Sequence, residues 1–328
     1  MVTSRTKYIC HTTIALLLAI GVLAACRTLA RTPEPDQLIL QLNWSHEVEF
    51  AGYYVADERG FYADENIAVT ILERDFSTGP EVALHQLVNQ EIDLAVLSFS
   101  LYKSDAAPER QAVAIMAVQQ IPPTVLFALS DSGIQRPQDM VGRRVAVKSE
   151  FWGNIIRDTL SNAGVDPADI IEVEVESDAI EMLYDGQVDV WTGFAHDEPT
   201  EARLAGYDLN LIYTGDYGVG AYGGLLAVRQ GMIDQNPDLA ARFVRASLKG
   251  WQYAVEHPDE AAEIVARWQP DESLEFHRIA IRSLIPLVDT LEAPIGWIDA
   301  ERWQVAMGKT YTPERPGYTM QFVEAAQE

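Results

Sequence analysis

The 328-residue chain is poor in several chemistries. It has two cysteines, Cys10 and Cys26, so no disulfide framework and no Cys-rich metal cluster can form. Cations are scarce, with 24 Lys and Arg against 49 Asp and Glu and a formal charge of −25. Such a surface repels phosphate backbones, so no nucleic-acid partner is expected. The six histidines lie scattered. His196-Asp197-Glu198 is the one hint of a ligand cluster, and a lone triplet in a loop is more often solvated, so no metal is expected. No P-loop, nucleophile elbow or dinucleotide fingerprint occurs, so neither a catalytic residue nor a cofactor is expected. After residue 25 no run is apolar enough to span a bilayer.

The first 25 residues read as an export signal. Arg5 and Lys7 precede an apolar run from Ile14 to Ala25 that is too short to cross a membrane. Leu23-Ala24-Ala25-Cys26 resembles a lipobox, with Cys26 as the lipidated first residue of an exported chain held at the outer face of a bacterial membrane. Removing the signal takes two cations and no acid, lowering −25 by two to −27. Residues 26–37 are polar and Pro-bearing, as in a flexible tether.

What the chain does have is apolar and aromatic: 48% hydrophobic residues, with 7 Trp, 13 Tyr and 10 Phe. The centre of its organisation is Gln41 to Tyr62. A buried strand, Leu38 to Leu42, runs through the loop Asn43-Trp44-Ser45-His46-Glu47 into an apolar stripe at helical spacing: Phe50, Tyr53, Tyr54, Ala56 and Phe61. Of Tyr53 and Tyr54, one can face the core and the other solvent. In open α/β sheets the loop after a strand's carboxyl end is where ligands sit.

Further strands are expected at 66–72, 92–97, 113–118, 124–129, 144–147, 170–175, 188–192 and 225–228. A loop over 148–153 should lead into a helix over 154–163. Long helices are expected at 237–256, 258–268, 274–285 and 299–308. Asn89 to Val96 and Asp185 to Thr192 echo each other as helix–turn–strand units, followed by Ser98-Phe99-Ser100 and Gly193-Phe194-Ala195. Two α/β lobes follow from this: 38–127 as the first part of lobe one, 128–214 as lobe two, and 215–328 as crossover and return. Thr124 to Leu129 and the Gly-rich run Gly215 to Gly224 are the expected hinge segments.

Strand ends facing a cleft would bring Trp44, His46, Glu47, Phe50, Tyr54, Ser98 and Phe99 from lobe one. Lobe two would add Ser149, Phe151, Trp152, Asn154, Trp191, Phe194, His196 and Glu198, and the crossover Asp216, Tyr217 and Tyr222. Trp191 lies in a strand and can point either way. Phe151 reads equally as core or contact, and Glu198 as a helix start. Trp251, Trp268, Trp297 and Trp303 read as packing. The list is rich in aromatics and acids and poor in cations, with Lys148 the nearest. That suits a flat neutral ring and disfavours oxyanions.

The stretch Trp44, His46, Phe50, Ala51, Gly52, Tyr54, Val55, Ala56, Gly60, Phe61, Tyr62 resembles the start of solute-binding proteins of ABC importers related to the thiamine-pyrimidine family. The resemblance extends to about Trp303. It implies a two-lobed α/β periplasmic-binding-protein fold of type II, each lobe a mixed β-sheet flanked by helices, with a hinge of two crossover segments. It also implies ABC permease and ATPase subunits as partners, and a vitamin ligand that is either riboflavin or a thiamine-precursor pyrimidine. The number of aromatics favours the three-ring flavin. Related pyrimidine synthases carry a cysteine cluster where this chain reads Gly193-Phe194-Ala195-His196, so that activity is not carried over.

Overall fold

A computed structural model describes residues 34–104, 111–176, 179–314 and 316–327. The export signal, Cys26 and most of the tether lie outside the described residues. Gln37–Glu328 forms one compact unit. Its first strand is apolar on both faces: Leu38 and Leu40 enter one core, and Ile39 packs against another on the opposite face. Among the described residues there are ten strands: β1 (Asp36–Gln41), β2 (Ile67–Leu72), β3 (Leu94–Ser98), β4 (Ala112–Ala117), β5 (Thr124–Leu129), β6 (Arg144–Val147), β7 (Ile171–Glu174), β8 (Trp191–Phe194), β9 (Leu209–Tyr213) and β10 (Gly224–Arg229).

They form two sheets built to one plan. The first runs β2-β1-β3-β10-β4. β1 and β3 are parallel, and β10 lies antiparallel between β3 and β4, with Leu226 opposite both Val96 and Met116. In the second, β5 lies antiparallel between β8 and β9. β6 pairs parallel with β7 and meets β8 through a parallel bridge, Val145 to Val190, where the Ala146 N–H donates to the Val190 carbonyl at 2.9 Å. The order is therefore β7-β6-β8-β5-β9. Each sheet is completed by an antiparallel strand that the chain delivers on leaving the other sheet.

The echo between residues 89–96 and 185–192 has a structural basis here. Asp93 precedes β3, and its carboxylate accepts the Ile39 N–H of β1 at 2.9 Å. Asp189 precedes β8, and its carboxylate accepts the Arg144 N–H of β6 at 2.8 Å while pairing with the Arg144 guanidinium. The repeated aspartate holds the same neighbour strand in both sheets.

Three differences from the sequence reading stand out. Thr124 to Leu129 is a central strand rather than a hinge segment, so the boundary expected at 127 falls inside β5; the crossings are residues 118–123 and 214–223. β9 was not foreseen. The helix after β6 spans Glu150–Asn162, so Phe151 and Trp152 lie on its first turn and not in a loop.

The helices Pro237–Glu256 and Pro258–Trp268 each start with proline at the first position, where no N–H is needed. The first packs on the helix Ala51–Glu58 at backbone distance. A Cβ on Gly250 would lie 2.1 Å from the Gly52 carbonyl oxygen, and one on Gly52 would lie 2.2 Å from the Trp251 ring. Tyr53 meets that ring edge-on, with centroids 5.9 Å apart. Gly250→Ala should therefore force the helices apart and destabilise the protein by about 1–3 kcal/mol, as overpacking does elsewhere. A urea melt measures this; an unchanged midpoint would show that the contact is looser than its geometry.

Candidate functional site: an interlobe cavity

A cavity of about 750 Å³ opens where the carboxyl ends of β1, β3 and β8 meet the two crossings. This is the edge at which open α/β sheets hold ligands. Lobe one contributes Trp44, Glu47, Glu49, Ser98 and Phe99; lobe two contributes Phe151, Asn154 and Phe194. The crossings add Gln119, Pro122 and Tyr222.

The Trp44 loop is held from beneath. Tyr54, on the first helical turn after the loop, is fully buried and stacked on Trp268 at 4.6 Å and 14°. Its hydroxyl meets His46 Nδ1 at 3.0 Å and the Glu47 backbone. Trp44 is left 42% exposed, edge-on to Phe76 at 4.8 Å with the Arg74 guanidinium 5.7 Å from its ring. An indole so exposed in a cavity wall is available to a ligand rather than to the core.

The opposite wall is built in two layers. Phe151 is 47% exposed and touches Trp152 edge-on at 5.3 Å. Trp152 is buried behind it and supports Phe194, also at 5.3 Å. Lys148 lies 4.7 Å from the Trp152 ring and pairs with Glu198, whose other oxygen accepts the Phe194 N–H at 2.9 Å. The Lys148 charge is thus engaged within lobe two. Among the described residues lining the cavity, the exposed Lys103 is the one cation. Nothing in this wall offers the convergent cations that an oxyanion needs.

The floor is acidic. Burial, reinforced by Glu49, Asp197 and Glu198, holds the Glu47 carboxyl well above the ordinary range. Burial lifts Glu49 to about 7, against a hydrogen bond from the Gln119 side chain. Burial and Glu198 lift Asp197 to about 7. His196, expected with Asp197 and Glu198 to be solvated, is instead 1% exposed, and burial lowers it to about 4.

Comparison with known proteins supplies the family. The model described as NMT1/THI5 like matches residues 47–261. The chain belongs to the NMT1/THI5-like family. It is 26% identical over 285 residues to the riboflavin-binding protein RibY of Chloroflexus aurantiacus, covering 83% of this chain and 79% of that one. It is 27% identical over 307 residues to the formylaminopyrimidine-binding protein of Halalkalibacterium halodurans, covering 89% and 90%. It is also 29% identical over 238 residues to a 4-amino-5-hydroxymethyl-2-methylpyrimidine phosphate synthase of Legionella pneumophila, covering 72% and 74%. In fold it resembles the periplasmic aliphatic sulphonate-binding protein SsuA of Escherichia coli, with a TM-score of 0.64 at 17% identity over 83% of this chain and 91% of that one. The two-lobed periplasmic-binding-protein fold is the fold of this family member.

Within it, the structure brings Trp44, Glu47, Ser98, Phe99, Phe151, Asn154, Phe194 and Tyr222 to the cavity. It does not bring the other sequence-derived candidates there. Phe50 and Tyr54 are buried beneath the loop, and Trp152 and Glu198 back the lobe-two wall. Trp191 points to the other side of β8 and is fully buried. Asp216 is exposed on the second crossing, and the Tyr217 carbonyl accepts from Asn162 at 2.8 Å. Phe151, which the sequence leaves equally as core or contact, lines the cavity, and Glu49 and Gln119, which strand ends do not point to, line it too. The run Gln119-Gln120-Ile121-Pro122-Pro123 carried a usable signal, because polar and Pro residues interrupting two apolar strands mark a crossing. Truncating Trp191 to Ala should lower stability by about 3–5 kcal/mol, as for a buried aromatic. Trp44→Ala should stay within about 0.5 kcal/mol of wild type, as for an exposed side chain. Chemical denaturation of both variants reads the difference; equal effects would mean that one of these placements fails.

Proposed function

We propose that this protein is the substrate-binding component of an ABC importer, exported and held at the membrane through a lipid on Cys26, and that its cavity captures riboflavin. The observation that carries the ring-binding reading is the pairing of Trp44 and Phe151. These two large aromatics are exposed on walls from different lobes, facing one cavity. Free aromatic faces stack flat heterocycles, and a cavity with Phe99, Phe194 and Tyr222 behind them has room for more than one ring. Similarity to a riboflavin-binding protein supports the flavin. Binding and delivery, rather than catalysis, is the role that an open cleft between two hinged lobes serves.

A thiamine-precursor pyrimidine is the second reading. Glu47 and Glu49 favour it, because half-buried carboxyls at a cavity floor accept from ring amino groups. Similarity to a formylaminopyrimidine-binding protein supports it as well.

A fluorescence titration separates the two. Riboflavin should bind with quenching and with little dependence on salt, since charge pairing is not the driver. Stacking is worth roughly 1–3 kcal/mol per ring by alanine substitution, so Trp44→Ala and Phe151→Ala should each weaken binding by roughly 5- to 150-fold. Binding of hydroxymethylpyrimidine without riboflavin would give the second reading. Unchanged affinity in both variants would remove the cavity from the account.

A further inference from the structure

Three metal-ligating side chains converge at the floor of the cavity, and they come from different lobes. Glu47 and Glu49 stand after β1, and His196 stands after β8. One ligand atom from each lies within 4.8 Å of the other two, and His196 Nε2 is 4.0 Å from Glu49 Oε2. The His196 imidazole is 1% exposed, yet neither of its ring nitrogens has a hydrogen-bond partner. A buried imidazole ordinarily donates from one nitrogen and accepts at the other. Here both are left open, with one near a carboxylate.

The surrounding charge points the same way. Asp197 and Glu198 add their repulsion at Glu47, and one cation, Lys148, faces both of them, paired with Glu198 and acting on Asp197. Four half-buried carboxyls, Glu47, Glu49, Asp197 and Glu198, thus gather here around one ammonium, which makes the place rich in oxygen donors.

We propose that Glu47, Glu49 and His196 form a divalent-metal site of the zinc class that ties the two lobes together beside the ring cavity. One imidazole with two carboxylates suits borderline first-row ions. Three protein donors leave a coordination position open. Because Glu47 and Glu49 line the cavity, that position faces the ligand space. Metal–donor bonds of about 2.0–2.2 Å require donors closer together than the present separations, by roughly an ångström. With donors in both lobes, that approach is a small closure of the cleft.

The probes are Zn²⁺, in competition with a chromophoric chelator, and Co²⁺, followed by its visible absorption, on chelator-stripped protein. Wild type should bind one Zn²⁺ per chain and melt at a higher temperature with it. Glu49→Gln, which is nearly isosteric, and His196→Ala should each weaken Zn²⁺ binding at least tenfold, and His196→Ala should lose the Co²⁺ band. Circular dichroism checks that each variant is folded; if His196→Ala is not, Glu49→Gln alone decides. The proposal is overturned if wild type binds no Zn²⁺ against the chelator. It is equally overturned if folded Glu49→Gln binds as wild type does, which would assign the metal to the acidic surface.

Discussion

The structure depends on an exchange of strands between its two sheets. β5 arrives from lobe one to become the centre of lobe two, and β10 returns to lie between β3 and β4. Neither sheet is complete without the other's excursion. The exchange forces two crossings to run side by side. Thr124 and Thr214 join their hydroxyls there, the Thr214 hydroxyl donates to the Thr124 carbonyl, and the Gly223 N–H donates to the Gln119 carbonyl at 3.0 Å. A Cβ on Gly223 would fall 2.6 Å from the Gln119 Cβ, which cannot swing aside, so the close approach favours glycine. The crossings emerge where the parallel strands end, and the cavity is formed at that place.

Aromatic residues divide into two groups around this cavity. Trp44 and Phe151 keep a free face, while Tyr54, Trp152 and Trp191 are consumed in holding the walls. The acids divide as well. Most stand at the surface, where they set the net charge, whereas Glu47, Glu49 and Asp197 are withdrawn and hold their protons more tightly than ordinary carboxyls. The floor is thus polar without being a strong fixed field, and the walls are apolar.

Much of the fold was legible because it is written in short-range patterns. A short apolar run marked β1, proline marked the starts of the Pro237–Glu256 and Pro258–Trp268 helices, and the repeated Asp93 and Asp189 marked equivalent strands. The site was legible by half. Strand ends such as Ser98 and Phe194 could be placed from topology, because ligand edges follow strand direction. Which face a strand residue takes depends on register, which one sequence does not display: Trp191 and Phe194 lie on one strand and only Phe194 reaches the cavity. Tyr54 belongs to the loop motif because it supports the loop from behind, a role that a motif alone does not separate from contact. Gln119 stayed hidden because it acts in a crossing, where no periodicity applies.

The account's central claim is that a ring ligand sits between two lobes that close on it through the paired crossings. Small-angle X-ray scattering of residues 26–328, with and without saturating riboflavin or hydroxymethylpyrimidine, tests it most directly. The account predicts a smaller radius of gyration with whichever ring compound binds. A ligand that binds at saturation and leaves the radius unchanged would contradict it.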